Sequence, residues 1–215
     1  MTNRPLCIYH GNCADGFGAA WVVRRYFGKN NVDFHAGVYQ DPPPNVAGRD
    51  VIIVDFSYKK PVIEEMAKQA CSILILDHHK TAAGDLADYP RPTETAPEWA
   101  ALFGHTPDHG SAEVCAIFDM ERSGAMITWD YFYPGQLCPD LLRHIQDRDL
   151  WLFKLEGTRE IQANLFSYPY DFEVWDTLMN SPPGKMIPEG RAIERKHFKD
   201  VGELVGVMKR RMKIG

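Results

Sequence analysis

Paired cysteines are missing from this chain. Its five cysteines, Cys7, Cys13, Cys71, Cys115 and Cys138, are odd in number and scattered, with no C-x-x-C spacing, which argues against a zinc ribbon or a disulfide scaffold. A basic-plus-apolar leader is also missing, and no apolar run approaches the roughly 20 residues needed to span a bilayer. Positive charge is not in excess: 24 Lys and Arg stand against 29 Asp and Glu, a formal net charge of −5. Charge over the whole molecule therefore cannot hold nucleic acid, and a local basic patch or a metal must supply any attraction for phosphate. Internal repeats and low-complexity tracts are lacking too. Cys7, Cys71 and Cys115 sit inside or beside apolar runs and read as reduced core thiols. Together these absences predict a soluble, cytoplasmic protein with no membrane partner.

What is present is enough for a sizeable core: 45% of 215 residues are hydrophobic, in one or two domains. Short apolar runs alternate with helical patterns over the first 150 residues. Strands are predicted at Leu6–His10, Val32–Tyr39, Val51–Asp55, Ser72–Asp77 and Val114–Phe118, and helices at Asp15–Tyr26 and Pro61–Ala70. The run Ser-Ile-Leu-Ile-Leu-Asp at 72–77 suits a strand covered on both faces. This β-α-β rhythm predicts an α/β fold with a doubly wound, mainly parallel five-stranded sheet flanked by helices. Thr81–Gly110 reads as loop with short helical pieces, and its His105, Asp108 and His109 as a solvated insertion. Ser123-Gly124-Ala125 opens a helix through Phe132, another covers Pro139–Trp151, and the chain from Arg159 onward is helical. Trp21, Trp129 and Trp151 read as core residues at helical spacing. The last helix aligns Ile193, Val201, Leu204, Val205, Met208 and Met212, while Lys209-Arg210-Arg211 reads as a solvated face.

Chemistry gathers at the strand ends, where open parallel sheets bind ligands. His10 closes the first strand, with Cys13 and Asp15 in the turn beyond; Asp55 closes the third; Asp77-His78-His79 closes the fourth; Asp147 lies on a later helix. Three or more carboxylates converging without cations repel one another and lose stability. One or two divalent ions remove that conflict, and mixed carboxylate and imidazole donors suit Mn²⁺, Fe²⁺, Zn²⁺ or Co²⁺ better than Ca²⁺. Two such ions about 3.5–4 Å apart can generate a hydroxide and clamp a phosphoryl group. A carboxylate must then bridge them, and Asp55 is the natural candidate.

Four ordered motifs over residues 6–151 resemble the DHH phosphoesterase family, which includes RecJ-like exonucleases, nanoRNase-like phosphodiesterases, cyclic-dinucleotide phosphodiesterases and family II pyrophosphatases. They are His10-Gly-Asn-Cys-Ala-Asp15-Gly16, Val-Ile-Ile-Val-Asp55, Leu-Ile-Leu-Asp77-His78-His79, and Asp147 in Asp-Arg-Asp-Leu-Trp. The resemblance implies that His10 and Asp55 hold one metal, and Asp15, Asp55, His78 and Asp147 the other. It implies that His79 donates to a non-bridging phosphate oxygen and that Asp77 orients a histidine of its own motif. Ser123 and Gly124 could then turn backbone N–H groups toward phosphate, and Asp149 reads as a helix-surface acid, as an acid behind the ligands, or as a direct metal contact. The implied cofactors are two divalent ions, Mn²⁺ foremost, with Mg²⁺, Co²⁺, Fe²⁺ or Zn²⁺ as alternatives. The implied substrate is a small nucleotide or short single-stranded oligonucleotide, and a homodimer stays open. A pyrophosphatase-like hydrolase and a catalytically impaired nucleotide- or metal-binding module are the rival readings.

Two departures stand out. The family's first motif is Asp-x-Asp-Gly, and here Cys13 replaces its first aspartate. Cys13 reads as a true ligand, as a neighbour whose place is taken by water or Asn12, or as a mark of lost activity. The glycine-rich signature of the family's C-terminal domain is not found after Trp151, where Gly202, Gly206 and Gly215 are isolated. The expected organisation is a DHH domain over 1–155 and a helical extension or linker over 156–215, the C-terminal substrate-binding domain being absent.

Overall fold

The computed structural model describes residues 4–101 and 110–208. Five strands form one sheet: β1 (Leu6–His10), β2 (Asp33–Gly37), β3 (Asp50–Val54), β4 (Ser72–Asp77) and β5 (Glu113–Phe118). All pairings are parallel, in the order β2-β1-β3-β4-β5. Continuous apolar strands demand cover on both faces, and both are covered. Ile52, Val54, Leu74 and Leu76 face a core built with α1 (Ala14–Phe27), α5 (Gly124–Phe132) and α6 (Asp140–Asp149). Val51, Ile53, Ile73 and Ile75 face the other, with Ile63 and Met66 of α2 (Lys60–Ala67). Each such fully buried side chain contributes about 1.5–3 kcal/mol. The chain therefore has the doubly wound α/β fold that its run pattern predicts.

The order of the strands sets the place of the site. From β1 the chain crosses through α1 to β2 on one side; from β3 it crosses through α2 to β4 on the other. The sheet thus reverses direction between β1 and β3, and the crevice at their carboxyl ends is open to a ligand.

β2 is shorter than the predicted Val32–Tyr39. It is an edge strand paired only with β1, whose last partner is Gly37 opposite His10, and Val38 and Tyr39 leave the sheet exposed. Two short helices, α3 (Lys80–Asp85) and α4 (Ala96–Ala101), occupy the predicted loop region. Trp21 and Trp129 are buried, but Trp151 is 73% exposed, which corrects its assignment to the core. α6 stops at Asp149 and Trp151 adopts a left-handed φ of +57°, so helical spacing no longer governs where its ring goes.

After residue 155 come α7 (Thr158–Leu165), α8 (Phe172–Met179), a 3-10 turn (Pro183–Met186) and α9 (Ile187–Met208). Ile161, Leu165, Trp175 and Met186 lie in the same core as α1 and α5. Trp21 Nε1 and Arg24 donate to Asp176 at 2.8 and 3.0 Å, tying α8 to α1. The apolar stripe of α9 is exposed at Val201, Leu204, Val205 and Met208. His105, Asp108, His109, Lys209-Arg210-Arg211 and Met212 lie outside the described residues. Cys7, Cys13, Cys71, Cys115 and Cys138 are free thiols. No described helix is long and apolar enough to cross a membrane.

Candidate metal centre

Each arm of the site is placed by a strand end and a close backbone approach. His10 is the last residue of β1; Gly11 and Asn12, the latter at φ +55°, turn the chain into α1 through Cys13. Gly16 permits the tight turn, because a Cβ there would lie 2.4 Å from the His10 carbonyl oxygen. Asp55 follows β3 at φ +51°, a conformation that aspartate tolerates better than most side chains. The start of α5 lies directly against it: a Cβ on Gly124 would sit 2.4 Å from the Asp55 Cβ. His78 and His79 follow the end of β4.

These elements bring seven side chains together. His78 Nε2 lies 3.1 Å from Asp55 Oδ1, 3.6 Å from Asp149 Oδ2 and 3.8 Å from Asp15 Oδ2. His10 Nδ1 lies 3.5 Å from Asp55 Oδ2. Three sets offer donor atoms all within 4.8 Å of one another: His10, Cys13 and Asp55; Asp55, His78 and His79; Asp15, His78 and Asp149. Asp55 and His78 each belong to two sets, so the sets form one chain with Asp55 inside it.

The charges are under strain. Asp15 and Asp55 are each 1% exposed. Burial, then Asp55 and Asp149, push the Asp15 carboxyl well above its ordinary range. Burial and Asp55 raise Asp149 as well. Asp149 is also the last residue of α6, where the helix dipole disfavours an anion. Burial alone would raise Asp55, but His10 and His78 outweigh it and hold the carboxyl at about 2. The same carboxylates overcome burial at His78 and raise it to about 9. Both Asp55 oxygens are nonetheless buried without a hydrogen bond of proper geometry. The two imidazoles offset the cost of burying this charge, and the donor atoms gathered around it could hold a metal ion in their place. Imidazole, carboxylate and one thiol make a donor set for divalent transition metals rather than for Ca²⁺.

Asp77 is fully buried and holds the second histidine. Its Oδ1 accepts from His78 N at 2.7 Å and faces His79 Nδ1 at 2.7 Å, while Oδ2 accepts from Ser57 Oγ at 2.8 Å. This contact is the largest cause of the raised His79 pKa. With Nδ1 engaged, Nε2 is the nitrogen left to donate.

Two assignments need correction. Asp147 does not reach the cluster: Oδ1 accepts from Lys154 N at 2.8 Å, and Oδ2 from Leu155 N at 3.0 Å and Thr158 Oγ1 at 2.6 Å. Residues two apart on a helix lie about 200° apart around its axis, so Asp147 and Asp149 cannot both face the crevice, and Asp149 does. Ser123 and Gly124 offer no free N–H to a phosphate. Gly124 N and Ala125 N donate to Asp15 at 2.6 and 3.1 Å, Ser123 N donates to Gln146 Oε1, and Met126 N donates to Ser123 Oγ. The positive end of α5 is spent on Asp15.

The motif reading ranks one participant too low and misses two. Asp149 had a signal, being four residues after Ile145 and seven after Leu142 on the buried stripe of α6. Ser57, buried beside Asp77, had none. Tyr39 had none either; its ring packs 5.3 Å from that of His10 and 4.8 Å from that of Phe56.

No family model matches the chain. It is 30% identical over 189 residues to the uncharacterized protein R106 of Acanthamoeba polyphaga mimivirus, covering 81% of this chain. The chain spans about 40% of that relative's length. A solved structure of an uncharacterized protein from Helicobacter pylori G27 is similar at a TM-score of 0.47 and 14% identity, covering 76% of this chain and 48% of that one.

Proposed function

We propose that the chain is a metal-dependent phosphoesterase of the DHH type, hydrolysing phosphodiester or phosphomonoester bonds of short single-stranded oligonucleotides or nucleotides. The observation that carries the reading is Asp55: a buried carboxylate whose oxygens face imidazole nitrogens at 3.1 and 3.5 Å without a hydrogen bond of proper geometry, shared between a set holding His10 and Cys13 and another holding His78. That is what a carboxylate bridging two cations requires. His10, Cys13 and Asp55 would hold one ion, and Asp15, Asp55, His78 and Asp149 the other. Divalent ions of the Mn²⁺ kind, when bound, supply Lewis acidity and neutralise phosphoryl charge. The α5 amides keep Asp15 aimed into the site. Asp77 favours the protonated His79 ring, which donates to a non-bridging oxygen as negative charge builds there. Tyr39 screens the His10 edge of the crevice.

A second reading, a nucleotide- or metal-binding module that has lost turnover, is favoured by one observation. Burial and the nearby Asp55 push the Cys13 thiol up to about 12, so it must lose a proton before it can ligate. The deciding experiment supplies Mn²⁺ and a panel of di- and trinucleotides, mononucleotides and pyrophosphate. The proposal expects dinucleotide cleavage that disappears in Asp55→Ala and His79→Ala. Cleavage of pyrophosphate alone would support the pyrophosphatase rival, and tight dinucleotide binding without turnover the module. Equal turnover by wild type and both variants would sink the catalytic assignment.

A further inference from the structure

The residues that follow Asp149 build a second feature. α6 ends and the chain makes a tight turn in which Trp151 and Phe153 both take left-handed φ values, +57° and +48°. Bulky aromatic residues rarely adopt that conformation, and it persists only where the surroundings enforce it. Here the enforcement is visible: Leu152 N and Phe153 N donate to the Asp147 carbonyl, and Lys154 N and Leu155 N to its carboxylate. The strained turn leaves Trp151 73% exposed, its ring centroid 5.0 Å from that of Phe153. Phe166 and Phe198 are 46% and 63% exposed on the same groove of about 460 Å³.

Two cations lie on these rings. The Arg159 guanidinium stands 4.0 Å from the Phe153 centroid and that of Arg148 stands 4.8 Å from the Phe166 centroid. Among the described residues neither makes an ion pair and Glu194 is the one carboxylate lining the groove. The exposed Trp151 ring, with these guanidinium groups beside it, is what a single strand of nucleic acid needs: a base stacks on the tryptophan and phosphates meet the cations. Arg148 adjoins Asp149, so the groove leads away from the candidate metal cluster along the same helix end.

We infer that the Trp151–Phe153 turn, with Arg148 and Arg159, is a stacking subsite for the flanking nucleotides of a single-stranded oligonucleotide, held in shape by Asp147. The choice of ligand rests on the phosphoesterase reading, but its test does not. The full chain, in EDTA so that no metal contributes, is titrated into a dye-labelled thymidine trinucleotide and followed by fluorescence anisotropy. Wild type is expected to bind, with Trp151→Ala weakening binding about ten- to a hundredfold, as loss of one stacked base predicts. Arg159→Gln is expected to weaken it less and to flatten its salt dependence, and Leu137→Ala, fully outside the groove, to leave it unchanged. Thermal unfolding of each variant keeps folding defects apart from binding defects. Wild type that does not bind, or Trp151→Ala that binds equally, overturns the subsite. So does self-association in which iodide no longer quenches Trp151, the other tryptophans all being buried, because a protein surface would then fill the groove. Trp151-dependent binding without any Mn²⁺-dependent hydrolysis would retain the subsite and remove the phosphoesterase reading; hydrolysis without Trp151-dependent binding would do the reverse.

Discussion

Replacing Asp147 by asparagine separates two roles that the sequence motif runs together. In the wild type its carboxylate accepts from two backbone N–H groups and the Thr158 hydroxyl, at 2.6–3.0 Å. An amide can satisfy two of these donors with its oxygen at best, and turns an NH₂ toward the third. Hydrogen bonds to a charged group contribute about 1.5–3 kcal/mol each, and they do not add fully. The same carboxylate enforces positive φ at Trp151 and Phe153, strain of order 1–3 kcal/mol each that is free to relax once the turn loosens. A loss of about 3 kcal/mol follows, which in a domain of this size lowers Tm by about 6–12 °C. Mn²⁺ binding should change little, since Asp147 gives no oxygen to the cluster. Asp149→Asn should do the opposite. It removes a half-buried like charge, so the metal-free protein holds or gains stability, while Mn²⁺ affinity falls at least about tenfold, a loss that even residues behind the ligands can cause. Differential scanning calorimetry and Mn²⁺ titration on both variants give the four numbers. If Asp147→Asn abolishes metal binding with Tm unchanged, the assignment of these two residues is wrong.

Gly124→Ala should cost about 3 kcal/mol, because its Cβ would press into the Asp55 Cβ at 2.4 Å and drive α5 back from Asp15; chemical denaturation reads this, and a neutral substitution would refute the close approach. Cys13→Ser should lower the occupancy of one metal while leaving the other, as measured by metal analysis after dialysis; two full sites would remove Cys13 from the ligand set. Burial pushes the Asp176 carboxyl up, but hydrogen bonds from Arg24, Trp21 and Lys29 prevail and hold it below its ordinary 3.8. With a depressed folded value, its contribution is complete above about pH 4 and fades as pH falls through the folded value. The stability difference between wild type and Asp176→Asn should therefore shrink in acid below that point. A difference constant down to pH 2 would contradict it.

Legibility varied with how local the cause was. β1 and β4 are bounded as their apolar runs and closing His10 and Asp77 imply, because burial on both faces writes a continuous signal. β2 is not, since an edge strand can end wherever its one neighbour ends, and Val38 and Tyr39 are apolar without being in the sheet. His10, Asp15, Asp55 and His78 could be proposed as neighbours because strand ends converge by topology. The choice between Asp147 and Asp149 depended on helical phase, which a motif match ignores and which the stripe Leu142, Ile145, Asp149 records. Ser123 and Gly124 read as an open helix start; only the tertiary approach of Asp15 shows the donors taken. Trp151 failed for a backbone reason, since a left-handed residue past the helix end has no pattern in sequence. Ser57 and Tyr39 join the site through contacts across the sheet, which single-sequence periodicity cannot encode.

Titration calorimetry with Mn²⁺ shows whether Asp55 is shared by two cations, as proposed. Two ions per chain are expected for wild type, with near-complete loss at both sites in Asp55→Asn while circular dichroism shows the fold retained. Wild type that takes up no ion, or Asp55→Asn that still takes up two, would contradict it.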